Sequence, residues 1–137
     1  MTLTPTALLL LSVQRHHLTD RPDERQLSRE WLQRVEEARA ARHLVVLVQW
    51  DGEAGSDSET FSKGWTLYPD FRAEAGELLV RATQPDAFAG SDLDAALHSR
   101  AVRELRLLGL DGEELQVTAQ TARRLGYAVQ ILQEAGA

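Results

Sequence analysis

The chain has 137 residues, of which 43% are hydrophobic, and this is enough for one domain with a single core. Fifteen basic and twenty-one acidic residues give a net charge of -6. We therefore expect neither a nucleic-acid binder nor a protein that binds anionic membranes, because no excess of positive charge would attract phosphate. The absence of cysteine excludes disulfides, thiolate zinc sites and a cysteine nucleophile. Small molecules or other proteins are the expected partners.

The apolar run near the amino terminus could be mistaken for a leader. It has no basic region before it and no small-residue cleavage site after it, so we interpret it as part of the mature protein. No segment contains the roughly 18 consecutive apolar residues that a membrane span requires. The sequence thus predicts a cytoplasmic protein.

The first predicted element is a strand over Ala7–Gln14. Five consecutive apolar residues indicate a strand that is buried on both faces, as at the centre of a parallel sheet. The carboxyl end of such a strand, here Ser12 to Gln14, opens onto the crevice where ligands bind. A helix should follow, with a capping residue and Pro22 in its first turn, and end near Arg42. Its core-facing residues at helical spacing are Leu27, Trp31, Val35 and Ala38.

Strands and helices continue to alternate along the rest of the chain. We expect strands over 44–49, 77–81, 102–108 and 127–132, and a long loop over 50–76. Ser91 is predicted to cap one further helix. A last helix should begin with the acidic pair Glu113 and Glu114, bury a face that includes Leu125, and end with basic residues, as the helix dipole favours. The sequence predicts an α/β fold, a doubly wound, Rossmann-like and mostly parallel sheet of about five strands with helices on both faces and the first strand central.

Five blocks in order carry a family resemblance. They are the apolar run 7–14, the helix end and strand 38–49, the loop blocks 51–56 and 64–69, the Phe-containing turn 85–94, and the helix end 125–127. Together they resemble the isochorismatase-like family of cysteine hydrolases, which includes nicotinamidases and carbamoyl-amide hydrolases. The resemblance implies one isochorismatase-like domain over residues 1–137.

Enzymes of that family use an aspartate as general base, a lysine and a cysteine nucleophile. The positive charge of the lysine lowers the pKa of the cysteine thiol. The resemblance places the aspartate at Ser12 and the lysine at Ala82. The cysteine position falls at Glu114 or, counted from the other side, at Leu115. None of these residues can perform its family role. The resemblance therefore implies a catalytically degenerate member that acts as a binding or interaction module.

A rearranged, cysteine-free hydrolase of small amides, imides or esters is the alternative, using Ser12, His16 or Glu114. Pocket candidates at the strand ends and turns are Gln14, His16, Trp50, Phe88 and Glu113. Trp50 is interpreted as a core plug or a pocket wall, and Glu113 and Glu114 also as the acidic first turn of a helix.

We expect no metal and no cofactor. The adjacent His16 and His17 cannot easily converge on an ion from regular strand geometry, so solvated loop histidines are favoured. Family domains continue beyond the strand at 127–132 into another helix and strand, whereas this sequence ends at Ala137. That strand would then be an exposed sheet edge, and a homo-oligomer contact could cover it.

Overall fold

A computed structural model describes residues 5–135. The amino-terminal residues considered above as a leader, and the chain end at Ala137, lie outside the described residues. The strands are β1 (Thr6–Leu10), β2 (Leu44–Trp50), β3 (Leu78–Ala82), β4 (Glu104–Leu110) and β5 (Ala128–Ala135). The helices are α1 (Arg15–Leu18), α2 (Glu24–Ala40), α3 (Leu93–Ser99) and α4 (Glu113–Arg124). Within the described range, no helix is long and apolar enough to cross a membrane.

The five strands form one parallel sheet in the order β3-β2-β1-β4-β5. This confirms the predicted α/β class, with β1 at the centre. The strand pairs with β2 on one side and β4 on the other, and Leu8 lies between Val45 and Arg106. The carboxyl ends of β1, β2, β3 and β4 therefore meet at one edge of the sheet.

The core has two layers because side chains alternate between the faces of a strand. Leu8 and Leu10 pack on the α2 face, whereas Leu9 and Leu11 pack on the face covered by α3 and α4. The predicted α2 contacts are confirmed, since Leu27, Trp31, Val35 and Ala38 are all buried. Each face of the sheet thus buries a layer of apolar side chains. The removal of this apolar surface from water is the main force that holds the fold together.

Four predictions about local structure need correction. The α2 helix begins at Glu24, so Pro22 precedes its first turn. The strand expected from residue 102 begins at Glu104, because Val102 is still in the loop and its N–H donates to Leu97 O. Leu125 is 44% exposed, because it follows the last turn of α4 rather than lying on its buried face. The helix after Ser91 has Asp92 at its N-cap, although Ser91 Oγ still accepts a hydrogen bond from the Leu93 N–H at 3.3 Å.

Candidate functional site

Ser12 follows the central strand, at the edge where parallel α/β sheets bind ligands. Its side chain is buried, and Oγ accepts a hydrogen bond from the Leu110 N–H at 2.9 Å. Gly109 keeps the neighbouring strand close, because a Cβ there would lie 3.0 Å from the Ser12 oxygen. The hydroxyl therefore joins the ends of β1 and β4.

Gln14 connects three segments of this edge. Its side chain is fully buried, its Nε2 donates to Trp50 O at 3.0 Å and to Trp65 O at 2.7 Å, and its Oε1 accepts from the Trp50 N–H at 2.8 Å. Every hydrogen bond of this amide goes to backbone. Gln14 thus joins the ends of β1 and β2 to the long loop.

The indole of Trp50 lies across the end of β1. Only 4% of the residue is exposed, and its Nε1 donates to Leu11 O at 2.7 Å. Trp50 belongs to the same buried apolar cluster as Leu11, Ala82 and Leu115. The large side chain therefore fills space between the strand ends, which is where the sequence predicted a crevice.

His16 and His17 lie on the short helix α1, which the sequence analysis did not predict. Backbone bonds from Arg15 N to Thr66 O and from His16 N to Gly64 O hold this helix against the loop, at 2.8 and 3.0 Å. The two imidazole rings pack with their centroids 3.9 Å apart, and the His17 side chain is only 8% exposed. The expectation of solvated loop histidines is wrong, because the loop covers them.

The tautomer of the neutral His17 ring follows from its hydrogen bonds. Nδ1 accepts from the Gln14 N–H at 3.3 Å, so in the neutral ring the proton is on Nε2. That atom faces Glu114, with 3.9 Å between Nε2 and Oε1. The structure therefore brings His17 and Glu114 together, a pair that the sequence analysis did not identify because it depends on how α1 packs against the start of α4.

His16 has a buried Nε2 with no hydrogen-bond partner among the described residues. Its pKa is lowered to about 4, first because burial disfavours the charged ring and second because His17 lies beside it, while Glu114 and Asp57 act in the opposite direction. The ring is therefore neutral at pH 7.

Acid should weaken the fold through His16. Between pH 6.5 and 4 the unfolded chain binds a proton that the folded ring does not, so the free energy of unfolding falls as the pH is lowered through this window. Because the ring is only partly buried, we expect a loss of about 1–2 kcal/mol after solvent screening.

Urea unfolding at pH 7 and pH 5 measures the effect. His16→Phe keeps a ring but removes the titration, so its stability should fall less between the two pH values than that of the wild type. His98→Asn, at a histidine whose side chain is 64% exposed, is the control for loss of an imidazole. An equal pH dependence in the wild type and His16→Phe would contradict the prediction.

An open cavity of about 380 Å³ lies outside the Trp50 indole. Its lining residues are Trp50, Asp51, Gly52, Glu53, Ser56, Ser58, Thr83, Gln84, Pro85 and Glu114. The Asp51 carboxylate accepts from Arg81 at 2.8 Å and from the Trp65 Nε1 at 3.0 Å. Asp51 was not among the predicted site residues, although its position directly after β2 at the ligand-binding edge is a usable signal.

The other predicted positions are not part of this cavity. Phe88 packs on Tyr127, with ring centroids 6.1 Å apart, and Glu113 is an exposed residue in the first turn of α4. Leu115, the second position considered for the cysteine, is buried in the apolar cluster. Across residues 5–135, no three histidine, aspartate or glutamate side chains form a group that could hold a metal ion.

Comparison with known proteins identifies relatives of this chain. Two streptothricin hydrolases of Streptomyces noursei are 37% identical over 101 residues, which is 73% of this chain. The aligned part amounts to 37% and 40% of the length of these relatives, so the chain spans well under half of them.

Solved structures agree with the fold. A structure from Burkholderia xenovorans assigned to isochorismatase is 29% identical and has a TM-score of 0.86, covering 98% of this chain and 68% of the other. The N-carbamoylsarcosine amidase from Thermoplasma acidophilum, 20% identical, shares the fold with a TM-score of 0.82 and coverage of 90% and 79%. The family model of the isochorismatase domain matches residues 6–137. The chain belongs to the isochorismatase family.

Proposed function

We propose that this protein is a non-catalytic member of its hydrolase family and acts as a binding or interaction module. The observation that carries the proposal is the Trp50 indole, which is 4% exposed and hydrogen-bonded to Leu11 O across the end of the central strand. A substrate carbonyl at this strand end would have to displace a buried aromatic side chain.

The side chains around Trp50 support the same conclusion. The family resemblance aligns Ser12, Ala82 and Glu114 with the aspartate, lysine and cysteine, and the sequence contains no cysteine. Ala82 is apolar and cannot supply positive charge. The Ser12 oxygen accepts a backbone hydrogen bond and the residue is 3% exposed, which is a poor arrangement for a nucleophile that must reach a substrate.

Binding would use the 380 Å³ cavity or the surface around it.

The proposal also includes that the protein forms a homo-oligomer and is located in the cytoplasm. The strand β5 is at one end of the sheet order, and proteins usually cover or pair such edges.

The second candidate is a hydrolase with a rearranged site. It is favoured by the contact between His17 Nε2 and Glu114 Oε1, at 3.9 Å, beside the cavity. A histidine oriented by a carboxylate can act as a general base. The names of the Streptomyces and Thermoplasma proteins, a streptothricin hydrolase and an amidase, supply substrate classes to test.

A hydrolysis screen separates the two candidates. Small amides, imides, esters and streptothricin are incubated with the wild type, Ser12→Ala, His17→Gln and Glu114→Gln. We expect no turnover above that of heat-denatured protein in any of them. The control Ser58→Ala removes a serine that lines the cavity but is not at the end of β1. Turnover that Ser12→Ala or His17→Gln abolishes and Ser58→Ala leaves intact would contradict the non-catalytic proposal.

A further inference from the structure

A separate cavity of about 230 Å³ lies between α2 and the sheet, towards the amino ends of the strands. It is therefore remote from the strand ends that carry Ser12 and Trp50. The lining is Leu8, Arg34, Glu37, Ala38, Ala41, His43, Arg106 and Leu132. Apolar side chains make up half of it, and three of the others are basic residue types.

Arg106 is the unusual member of this lining. It belongs to β4, which has a neighbour on both sides, and it lies beside Leu8 of β1 and Gln130 of β5. Inner strands of parallel sheets normally carry apolar side chains. The Arg106 side chain is 36% exposed, so it is partly open to solvent. The part of the guanidinium that is buried between the strands still needs a hydrogen-bond acceptor, because an unsatisfied buried donor costs free energy.

The protein itself supplies few acceptors for this guanidinium. The Nε atom of Arg106 is buried, and no described residue accepts a hydrogen bond from it. Glu104 approaches a terminal nitrogen only to 3.9 Å, which is beyond hydrogen-bond distance, and its Oε1 accepts from Thr6 Oγ1 at 2.9 Å. The planar guanidinium therefore keeps hydrogen-bonding capacity that suits a carboxylate, which can accept two parallel bonds from it.

The surrounding charges disfavour a ligand with two negative charges. Arg34 and Arg106 are positive, while Glu37, 3.7 Å from Arg34, and Glu104 are negative. The pKa of His43 is lowered by burial and then by Arg106, with Glu104 acting in the opposite direction. The two carboxylates cancel most of the attraction of the two guanidinium groups, so a dianion gains little from the surrounding charges, and a carboxylate would be held mainly by its direct contact with Arg106.

We propose that this cavity binds a small monocarboxylic acid whose carboxylate contacts the Arg106 guanidinium and whose short hydrocarbon chain packs on Leu8, Ala41 and Leu132. The apolar part of the lining excludes water from the chain, and the guanidinium orients the acid. This ligand class is independent of any chemistry at the opposite edge of the sheet.

Hexanoate is the probe, hexanamide is the neutral matched compound, and inorganic phosphate at about pH 8.5, where it is the dianion, is the doubly charged compound. Calorimetry on the full chain should show saturable binding of hexanoate, and binding of the other two compounds should be at least about tenfold weaker. In NMR titrations, saturating hexanoate should raise the pKa of His43, because the carboxylate offsets the charge of Arg106.

Three variants complete the test. Arg106→Gln should weaken hexanoate binding about tenfold or more. Arg103→Gln, the same change at an exposed residue outside the lining, should leave it unchanged. Ala41→Leu, at the exposed residue that follows α2, fills the cavity without changing a residue of the sheet. It should also weaken binding, which keeps the test valid if Arg106→Gln does not fold. Absence of saturable binding, equal binding of hexanamide, or an unchanged His43 pKa at saturation would overturn the proposal.

Discussion

Replacing Gln14 by leucine should lower the free energy of unfolding by about 2–6 kcal/mol, because two buried backbone groups of Trp50 are left without hydrogen-bond partners, at roughly 1–3 kcal/mol each. Gln14 is 0% exposed, so water cannot replace the amide without opening the edge of the sheet. Leucine has a similar volume but neither donates nor accepts a hydrogen bond. The loss is measured by urea unfolding at pH 7, where the midpoint should fall without a large change in slope.

Gln49→Leu is the matched control for this change. Gln49 is also buried, at 5% exposure, but its Nε2 makes a single bond to Trp65 O at 3.1 Å. That carbonyl still accepts from Gln14 when Gln49 is replaced. The free energy of unfolding of Gln49→Leu should therefore fall by only about 1 kcal/mol. If the two leucine variants were equally stable, the role assigned to Gln14 would be wrong.

Truncating Trp50 to alanine should cost about 3–5 kcal/mol, the range for a buried aromatic side chain replaced by alanine. The variant loses the packing of the indole in the apolar cluster and leaves the Leu11 carbonyl without the Nε1 donor. Trp50→Phe retains most of the packing but not the hydrogen bond, so its loss should be smaller, about 1–2 kcal/mol.

The same variant tests whether the indole occupies the crevice. Free indole added to Trp50→Ala should raise its unfolding midpoint, because a ligand that binds only the folded state stabilises it. Trp65→Ala is the control, since Trp65 is only partly buried and belongs to the loop. Stabilisation by indole in both alanine variants, or in neither, would show that Trp50→Ala opens no specific cavity.

The sheet was predictable because its signals are local. The runs at β1 and β2 are uniformly apolar over the length of a strand, and burial on both faces is what such runs indicate. Boundaries were less well defined, since Val102 and Leu125 are apolar but lie outside the regular elements. Apolar character alone does not specify where backbone pairing starts or ends.

The position of the site in the fold was predictable from the sequence, but the arrangement of the side chains in it was not. The polar ends of β1 and β2 were recognised, yet whether Trp50 forms a wall or fills the space depends on its side-chain torsions and on the Leu11 carbonyl. The helix α1 was missed because residues 15–18 have no helical periodicity, and contacts with Gly64 and Thr66, about 50 residues later, hold it. The burial of His16 and its lowered pKa follow from those contacts.

The central place of β1 also sets the order of events during synthesis. Its neighbour β2 follows after the helices α1 and α2, but its other neighbour, β4, lies about 98 residues further along the chain, as the bond between Thr6 and Glu104 illustrates. At roughly 5–20 residues per second, one side of this apolar strand stays unpaired for about 5–20 s on the ribosome. One side of the central strand is thus open to wrong partners for this time, and chaperone dependence and aggregation of nascent chains should involve this strand.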